Sequence, residues 1–507
     1  MIEANAVSRS PSTRARAPDA VIRNTEPATG APLPEIEVMP AQEVRGVVAR
    51  AREAQKGWAA LGFGERRRRL SAFKNLLMDR ADEVGAVVHR ENGKPLFEAI
   101  THDVVPVAML TSYYARKAKS ILRDRRIAAP LFPHKRSYVR YEPRGVIGVI
   151  APWNFPFSLP VGEVVTALAA GNAVVVKPSE FTPLVMLEGK KLLVEAGIPE
   201  DLVGVVPGFG PTGAALIESG VDMVVFIGSG ATGRKIAAAC GERLIPCVLE
   251  LGGKDPAIVC ADADLEKAAR TVVFGAFANS GQVCASVERV YVDRRIAEPF
   301  TARVVELAKG LRQGDGDVDV GAMTTPAQLG IVRRQVDEAV AQGAKVLTGG
   351  HAVEGKGRFF EPTVLTDVNA GMAVMREETF GPVLPIVAYD SEDDAVRLAN
   401  DTTYGLNAYV FSKDRGRAER LANRIEAGTV MVNDVLYTHG VPEWPWGGVK
   451  SSGIGRTHGA EALREMCRMR HVNVERVAVT PPWLYPYRDS VRRSLVKAVR
   501  TVMRLLD

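Results

Sequence analysis

Gly145-Val-Ile-Gly-Val-Ile-Ala151 is an apolar run too short for a helix and too continuous for a strand with one wet face. Such a run predicts a strand buried on both faces, the mark of a parallel sheet. Just upstream, Arg136-Ser-Tyr-Val-Arg-Tyr-Glu142 alternates as a half-buried strand. Further upstream, Ala41 to Trp58 and Glu65 to Asn92 have helical periodicity, and the second is read as one helix stopped near Gly93-Lys-Pro95. Downstream, β-rich runs (Ala173 to Val176, Leu202 to Val206, Met223 to Ile227, Cys247 to Leu251) alternate with helical ones (Pro160 to Ala170, Pro183 to Ala196, Gly213 to Ser219, Thr232 to Cys240). Strand and helix in turn predict parallel βαβ units and an α/β fold. The alternation resumes in Val287 to Val292, Lys345 to Leu347, Val383 to Tyr389, Ala408 to Phe411 and Thr429 to Val432, which predicts a second α/β domain. A chain of 507 residues is long enough for two or three cores.

Composition narrows the class. Hydrophobic residues make up 46% and charged residues 24%, the balance of an ordinary globular protein rather than a disordered one. The five cysteines (Cys240, Cys247, Cys260, Cys284, Cys467) have neither metal-ligand spacing nor the even count of a disulfide framework, so no metal and a reducing, cytoplasmic setting are expected. The formal charge of +6 is concentrated after Pro481, where six basic residues face two acidic ones, leaving a nearly neutral body and arguing against nucleic acid as partner. The run Arg66 to Arg69 reads as the solvated face of a helix whose apolar residues are Leu70, Phe73, Leu76 and Leu77. Residues 1–21, with prolines among Ser, Ala and Arg, read as a disordered tail.

Two segments carry the chemistry. Glu250-Leu-Gly-Gly-Lys-Asp-Pro256 offers a carboxylate base beside glycines that let backbone approach closely, and Asn279-Ser-Gly-Gln-Val-Cys284-Ala-Ser286 offers a thiol on a glycine-shaped loop. Together they point to covalent catalysis at sulfur. The amide of Asn154, set between Pro152 and Pro156, suits a donor to a developing oxyanion and equally a helix cap. Phe226-Ile-Gly228-Ser-Gly-Ala-Thr-Gly233 runs from strand to helix, where free N–H groups and the helix dipole receive phosphate, although it departs from GxGxxG. Lys177-Pro-Ser-Glu180 ends another strand and reads either as a nucleotide-binding edge or as an exposed ion-paired turn. Glu377-Glu378-Thr-Phe380-Gly-Pro382 and Pro445-Trp-Gly447-Gly448-Val-Lys450-Ser-Ser-Gly453 are turn-rich segments.

The order of these segments, with Gly208-Phe-Gly-Pro-Thr212 between them, resembles the aldehyde dehydrogenase superfamily over residues 22 to 478. The resemblance implies a cofactor domain (22–130 and 150–252), a catalytic domain (253–445), and an oligomerisation arm with active-site loop (131–149 and 446–478). It implies homodimers or homotetramers. By the same resemblance Cys284 would attack an aldehyde, Asn154 and the Cys284 N–H would hold the oxygen of the thiohemiacetal, hydride would pass to a nicotinamide, and Glu250 would activate the water that cleaves the thioester. Lys177 and Glu180 would hold the adenosine ribose, Ser229 with Gly228 and Gly233 the pyrophosphate, and Glu378 and Phe380 the nicotinamide ribose and ring. Trp153, Ser179, Gly208 and Leu251 complete the implied cofactor contacts. A carboxylate at Glu180 accepts from ribose hydroxyls and repels a 2′-phosphate, which favours NAD, while Lys177 keeps NADP open.

The catalytic loop and the C-terminal part resemble succinate-semialdehyde dehydrogenases, yet the arginine those enzymes place six residues before the nucleophile is here Ala278. An apolar aliphatic or aromatic aldehyde is therefore expected, with Phe155, Phe157, Trp444 and Trp446 as candidate tunnel walls. A CoA-acylating relative and a non-catalytic or lipid-tethering protein are rival readings. Beyond Thr480, Pro481-Pro-Trp-Leu-Tyr-Pro-Tyr487 precedes an amphipathic basic helix, expected either to lie on an anionic membrane or to dock on a neighbouring subunit.

Overall fold

In the computed structural model, which describes residues 21–129, 132–481 and 483–506, the run at 146–150 is a strand buried along its whole length. It pairs in parallel with Ala173–Lys177 on one side and Met223–Ile227 on the other. The sheet built around it has six strands, in the order Gly453–Ile454, Cys247–Glu250, Met223–Ile227, Val146–Ile150, Ala173–Lys177, Val203–Val205. All pairs are parallel except the first, where Gly453 and Ile454 return antiparallel against Glu250 and Leu249. A second sheet of seven strands runs Lys345–Thr348, Thr363–Thr366, Val383–Tyr389, Val287–Asp293, Asp255–Val259, Asn407–Phe411, Thr429–Val432, and only its outermost Lys345–Thr348 is antiparallel. Each sheet has its own apolar core, Val, Ile and Leu filling both faces as a parallel sheet requires. The arrangement is the expected α/β fold.

Two expected boundaries shift. The helix read from Glu65 to Asn92 is two helices, Phe63–Asp79 and Ala81–Asn92, broken at Arg80. The first packs on Val105–Ile121 and the second on Leu184–Glu195 and the π-helical turn Ala99–Val104, so one straight axis could not serve both contacts. The arm boundary after residue 149 falls inside the strand Val146–Ile150, whose five buried residues belong to the six-stranded sheet. The arm itself is a three-stranded antiparallel sheet, Cys467–Glu475, Lys135–Pro143, Arg125–Ile127. The tail expected at residues 1–20 lies outside the described residues. Among those described, no helix is long and apolar enough to cross a membrane.

Candidate active site

Parallel strands place their C-terminal ends, and the loops that follow them, on one edge of each sheet, and the two edges meet at one cleft. Strand Val146–Ile150 delivers Pro152, Trp153 and Asn154; strand Met223–Ile227 delivers Gly228 and Ser229; strand Cys247–Glu250 ends on Glu250 itself. From the other side comes the loop that precedes strand Val287–Asp293 and carries Cys284. These residues line one cavity of about 280 Å3 together with Leu159, Leu251, Gly252, Gln328, Glu378, Phe380, His439, Trp446 and Thr457. A second cavity of about 620 Å3 shares Pro152, Trp153, Ile227, Gly228 and Ser229 with the first and extends to Lys177, Ser179, Glu180, Lys235 and Arg243.

The loop that carries Cys284 is held in a strained path. Asn279, Ser280 and Gly281 take φ of 49°, 56° and 72°, three successive left-handed residues of which two carry side chains. The surroundings fix that path. The Asn279 N–H donates to Glu98 Oε2 at 2.9 Å, Ser280 Oγ donates to the Gly321 carbonyl at 2.8 Å, and the Thr324 N–H donates to Gln282 Oε1 at 2.9 Å. A Cβ at Gly281 would lie 2.2 Å from the Gly381 carbonyl oxygen, so that glycine permits the close approach as well as the dihedral. Asn154 joins the same network: its Nδ2 donates to the Gln282 carbonyl at 3.1 Å, leaving its second amide hydrogen for the cavity. Below it the buried Lys94 donates to Asp103 Oδ2 at 2.6 Å and to the Asn154 carbonyl at 2.8 Å.

Electrostatically the pocket is acidic and dry. Burial pushes Glu250 up to about 8, opposed by hydrogen bonds from Trp446 and from Thr457, whose Oγ1 lies 3.4 Å from Oε1. Glu378, buried and beside Glu288, is also pushed up to about 8, and accepts from the Gly253 N–H at 3.0 Å. Burial first, then the charges of Glu250, Asp255 and Glu378, drive the Cys284 thiol far above the ordinary range, with only the Ala285 N–H working the other way. His439 is held neutral by burial, down to about 4. Among the described residues lining the cavity, the two carboxyl groups have raised affinity for a proton, in the range where one is exchanged near neutral pH, and His439 has lowered affinity.

The cofactor-side residues divide. Trp153, Gly228, Ser229, Leu251, Glu378 and Phe380 line the inner cavity, with the Trp153 and Phe380 rings edge to face at 5.4 Å. Lys177, Ser179 and Glu180 line the outer one, where Lys177 Nζ and Glu180 Oε2 are paired at 2.9 Å. Ser229 caps the helix Gly230–Glu242, whose first-turn N–H groups and dipole open towards the cleft. Gly208 and Gly233 line neither cavity. A Cβ at Gly208 would strike Thr212 and one at Gly233 would strike Leu251, so both glycines serve packing. The Gly252-Gly253 pair likewise yields space to protein groups, the Glu378 carboxylate and the Cys284 carbonyl.

The aromatic walls also divide. Phe155 and Trp446 cluster with Val283, Ala285, Leu406 and Leu436 around Cys284. Phe157 is buried in the core of the six-stranded sheet, and Trp444 is exposed beside Tyr437. Ala278 faces a different cavity, lined by Phe97, Glu98, His102 and Arg270.

The sequence pattern of the Aldehyde dehydrogenase family matches residues 14–472. The chain belongs to that family. Among curated aldehyde dehydrogenase relatives it is 40% identical to a putative succinate-semialdehyde dehydrogenase [NADP(+)] of Mycolicibacterium smegmatis, covering 94% of this chain and 93% of that one. It is also 40% identical to a 4,4′-diapolycopene aldehyde oxidase of Methylomonas, covering 92% and 89%. The aldehyde dehydrogenase of Bacillus cereus, solved as an NAD+ complex, superposes with a TM-score of 0.86 at 34% identity over 90% of this chain and 93% of that one.

Several residues of this aldehyde dehydrogenase escaped the sequence reading. Lys94, Glu98 and Gln282 brace the nucleophile loop, and the Lys254–Glu288 pair holds the other: Glu288 accepts from the Thr379 and Phe380 N–H groups at 2.8 and 2.9 Å and so orients Glu378 and Phe380. Glu163 left a readable signal, a lone carboxylate in Ser158–Ala170, a helix whose 13 residues are all buried. Its Oε2 has no partner, and burial, then the charge of Glu250, push it up to about 8.

Proposed function

We propose that this chain oxidises an apolar aldehyde to the carboxylic acid through a thioester on Cys284, with NAD or NADP as hydride acceptor. The observation that carries the substrate class is the charge of the inner cavity: Glu250 and Glu378 line it, His439 is neutral, and among the described residues no Lys or Arg does. A substrate carboxylate there would be buried beside two carboxyl groups with no cation to offset it, while Leu159, Ile227, Ile331 and Trp446 offer apolar surface in the same cavity. Succinate semialdehyde, named for one relative, would bring a carboxylate to that lining, whereas the aldehyde named for the other brings none.

Each step is assigned to a residue that lines this cavity. The Cys284 thiol gives up its proton to solvent, its sulfur bonds to the carbonyl carbon, and the resulting oxyanion takes hydrogen bonds from the free Asn154 amide hydrogen and the Cys284 N–H. A nicotinamide held by Trp153, Glu378 and Phe380 would supply the hydride acceptor at that carbon. Glu250 then removes a proton from water, the water oxygen bonds to the acyl carbon, the carbon–sulfur bond breaks, and the acid leaves with the thiolate restored. The outer cleft has the cap of helix Gly230–Glu242 for phosphate and Glu180 for ribose hydroxyls. Because Glu180 is paired with Lys177, and Lys235 and Arg243 share the cleft, it discriminates weakly against a 2′-phosphate.

Initial rates on hexanal, benzaldehyde and succinate semialdehyde, with each cofactor and without CoA, test the reading. Higher kcat/KM for the first two, acid as product, and loss of turnover in Cys284→Ser are expected. A lead for the semialdehyde overturns the substrate class, and an absolute need for CoA overturns the hydrolytic step.

A further inference from the structure

Helix Asp489–Leu506 is the only long helix among the described residues that buries nothing: from Asn473 to Arg504 no described residue is buried, and Pro481, Val491, Leu495 and Val502 alone are partly covered besides. Yet its sequence is built to be covered. At 100° per residue, Val491, Leu495, Ala498, Val499 and Val502 fall on one side and Arg493, Lys497, Arg500 and Arg504 on a narrow stripe opposite. Arg492 is paired with Asp489, whereas the four stripe cations have no ion-pair partner among the described residues. The linker that delivers the helix is aromatic and wet, with Trp483, Tyr485 and Tyr487 exposed, Tyr485 at 82%. Trp483 meets Phe132 edge to face at 5.8 Å between centroids.

We infer that this segment is a docking surface for an anionic lipid bilayer, on which the helix lies parallel to the membrane with its apolar side down and Trp483, Tyr485 and Tyr487 at headgroup depth. Three features favour lipid over a second copy of the chain. With the apolar side down, the four unpaired cations stand about one helix diameter above the headgroups, within the reach of a negative surface potential, and outside this segment the chain is close to neutral. Apolar and basic sides on one helix, rimmed by Trp and Tyr, match the chemical layering of a membrane interface. The segment is 18 residues long and too charged to span, so it can only lie in the surface. A single such helix binds marginally, and a homo-oligomer carrying several would bind in concert. This inference does not depend on the substrate proposed above, because binding is measured without turnover.

Co-sedimentation with vesicles decides it, comparing phosphatidylcholine alone with phosphatidylcholine containing phosphatidylserine. The full chain is expected to pellet with the anionic vesicles and not with the neutral ones, and less so at high salt. The chain ending at Thr480, its dehydrogenase activity showing that the body is folded, is expected to stay in the supernatant. Replacing Arg493, Lys497, Arg500 and Arg504 by Gln in the full chain should weaken binding by roughly fivefold per cation, and Val499→Ser with Met503→Ser should weaken it without changing charge. Equal pelleting of full and shortened chains, or indifference to lipid charge, overturns the inference. So does a lower subunit number on shortening with no vesicle binding by either form, which would assign the helix to a neighbouring copy.

Discussion

At the scale of single residues, the site turns on where protons sit. Glu250, raised to about 8 by burial, is mostly protonated at pH 6 and gains its charge as pH rises, so acid release is expected to climb about tenfold per unit below pH 8 and then level. Thr457→Val removes a hydrogen bond that favours the carboxylate and should move that limb up by as much as about 0.7 unit, read from the pH profile of kcat. Glu163 makes a separate prediction. Its folded value of about 8 exceeds the unfolded 4.5, so the stability it confers is complete below about 4.5 and is lost as pH rises through 8. Glu163→Gln should therefore melt progressively higher than the parent chain between pH 5 and pH 8, by a few kcal/mol at the upper end. A melting difference constant with pH would refute it. Cys284 and Glu250 were legible because glycines mark their loops; Lys94, in the turn between two helices, and Glu98, on a helix, were not, because a lone charge reads as solvated until its burial is seen.

The elements show what periodicity reveals and what it conceals. All the β-rich runs named from the sequence are strands, since a strand buried on both faces leaves an unbroken apolar signature. The break at Arg80 left none, because both halves keep one helical period while facing different partners. Nor did the turn at 279–281, whose left-handed pair Asn279 and Ser280 is imposed by Glu98, Gly321 and Thr324 from distant parts of the chain. Gly281→Ala forces a Cβ against the Gly381 carbonyl and must displace the loop that carries the thiol. A misplacement near 1 Å costs roughly a hundredfold in rate, so kcat should fall by about that factor while far-ultraviolet circular dichroism is unchanged. Full activity in this variant would show that the loop tolerates movement.

For the whole molecule, the nine-residue strand Cys467–Glu475 stands at the edge of the three-stranded sheet, largely exposed, with Met469 67% accessible. Long wet edge strands are pairing sites, and sedimentation velocity is expected to show dimers or tetramers; a monomer at micromolar concentration would contradict this. The return of Gly453–Ile454 to the strand bearing Glu250 has a further consequence, in the order of synthesis. The six-stranded sheet lacks its last strand until roughly two hundred more residues have left the ribosome, on the order of 10–40 s at ordinary elongation rates. Thr457, which tunes Glu250, and Trp446, which walls the thiol, arrive in the same interval. A nascent chain thus carries Cys284 for many seconds before the strand and the side chains that cover its cavity have been made.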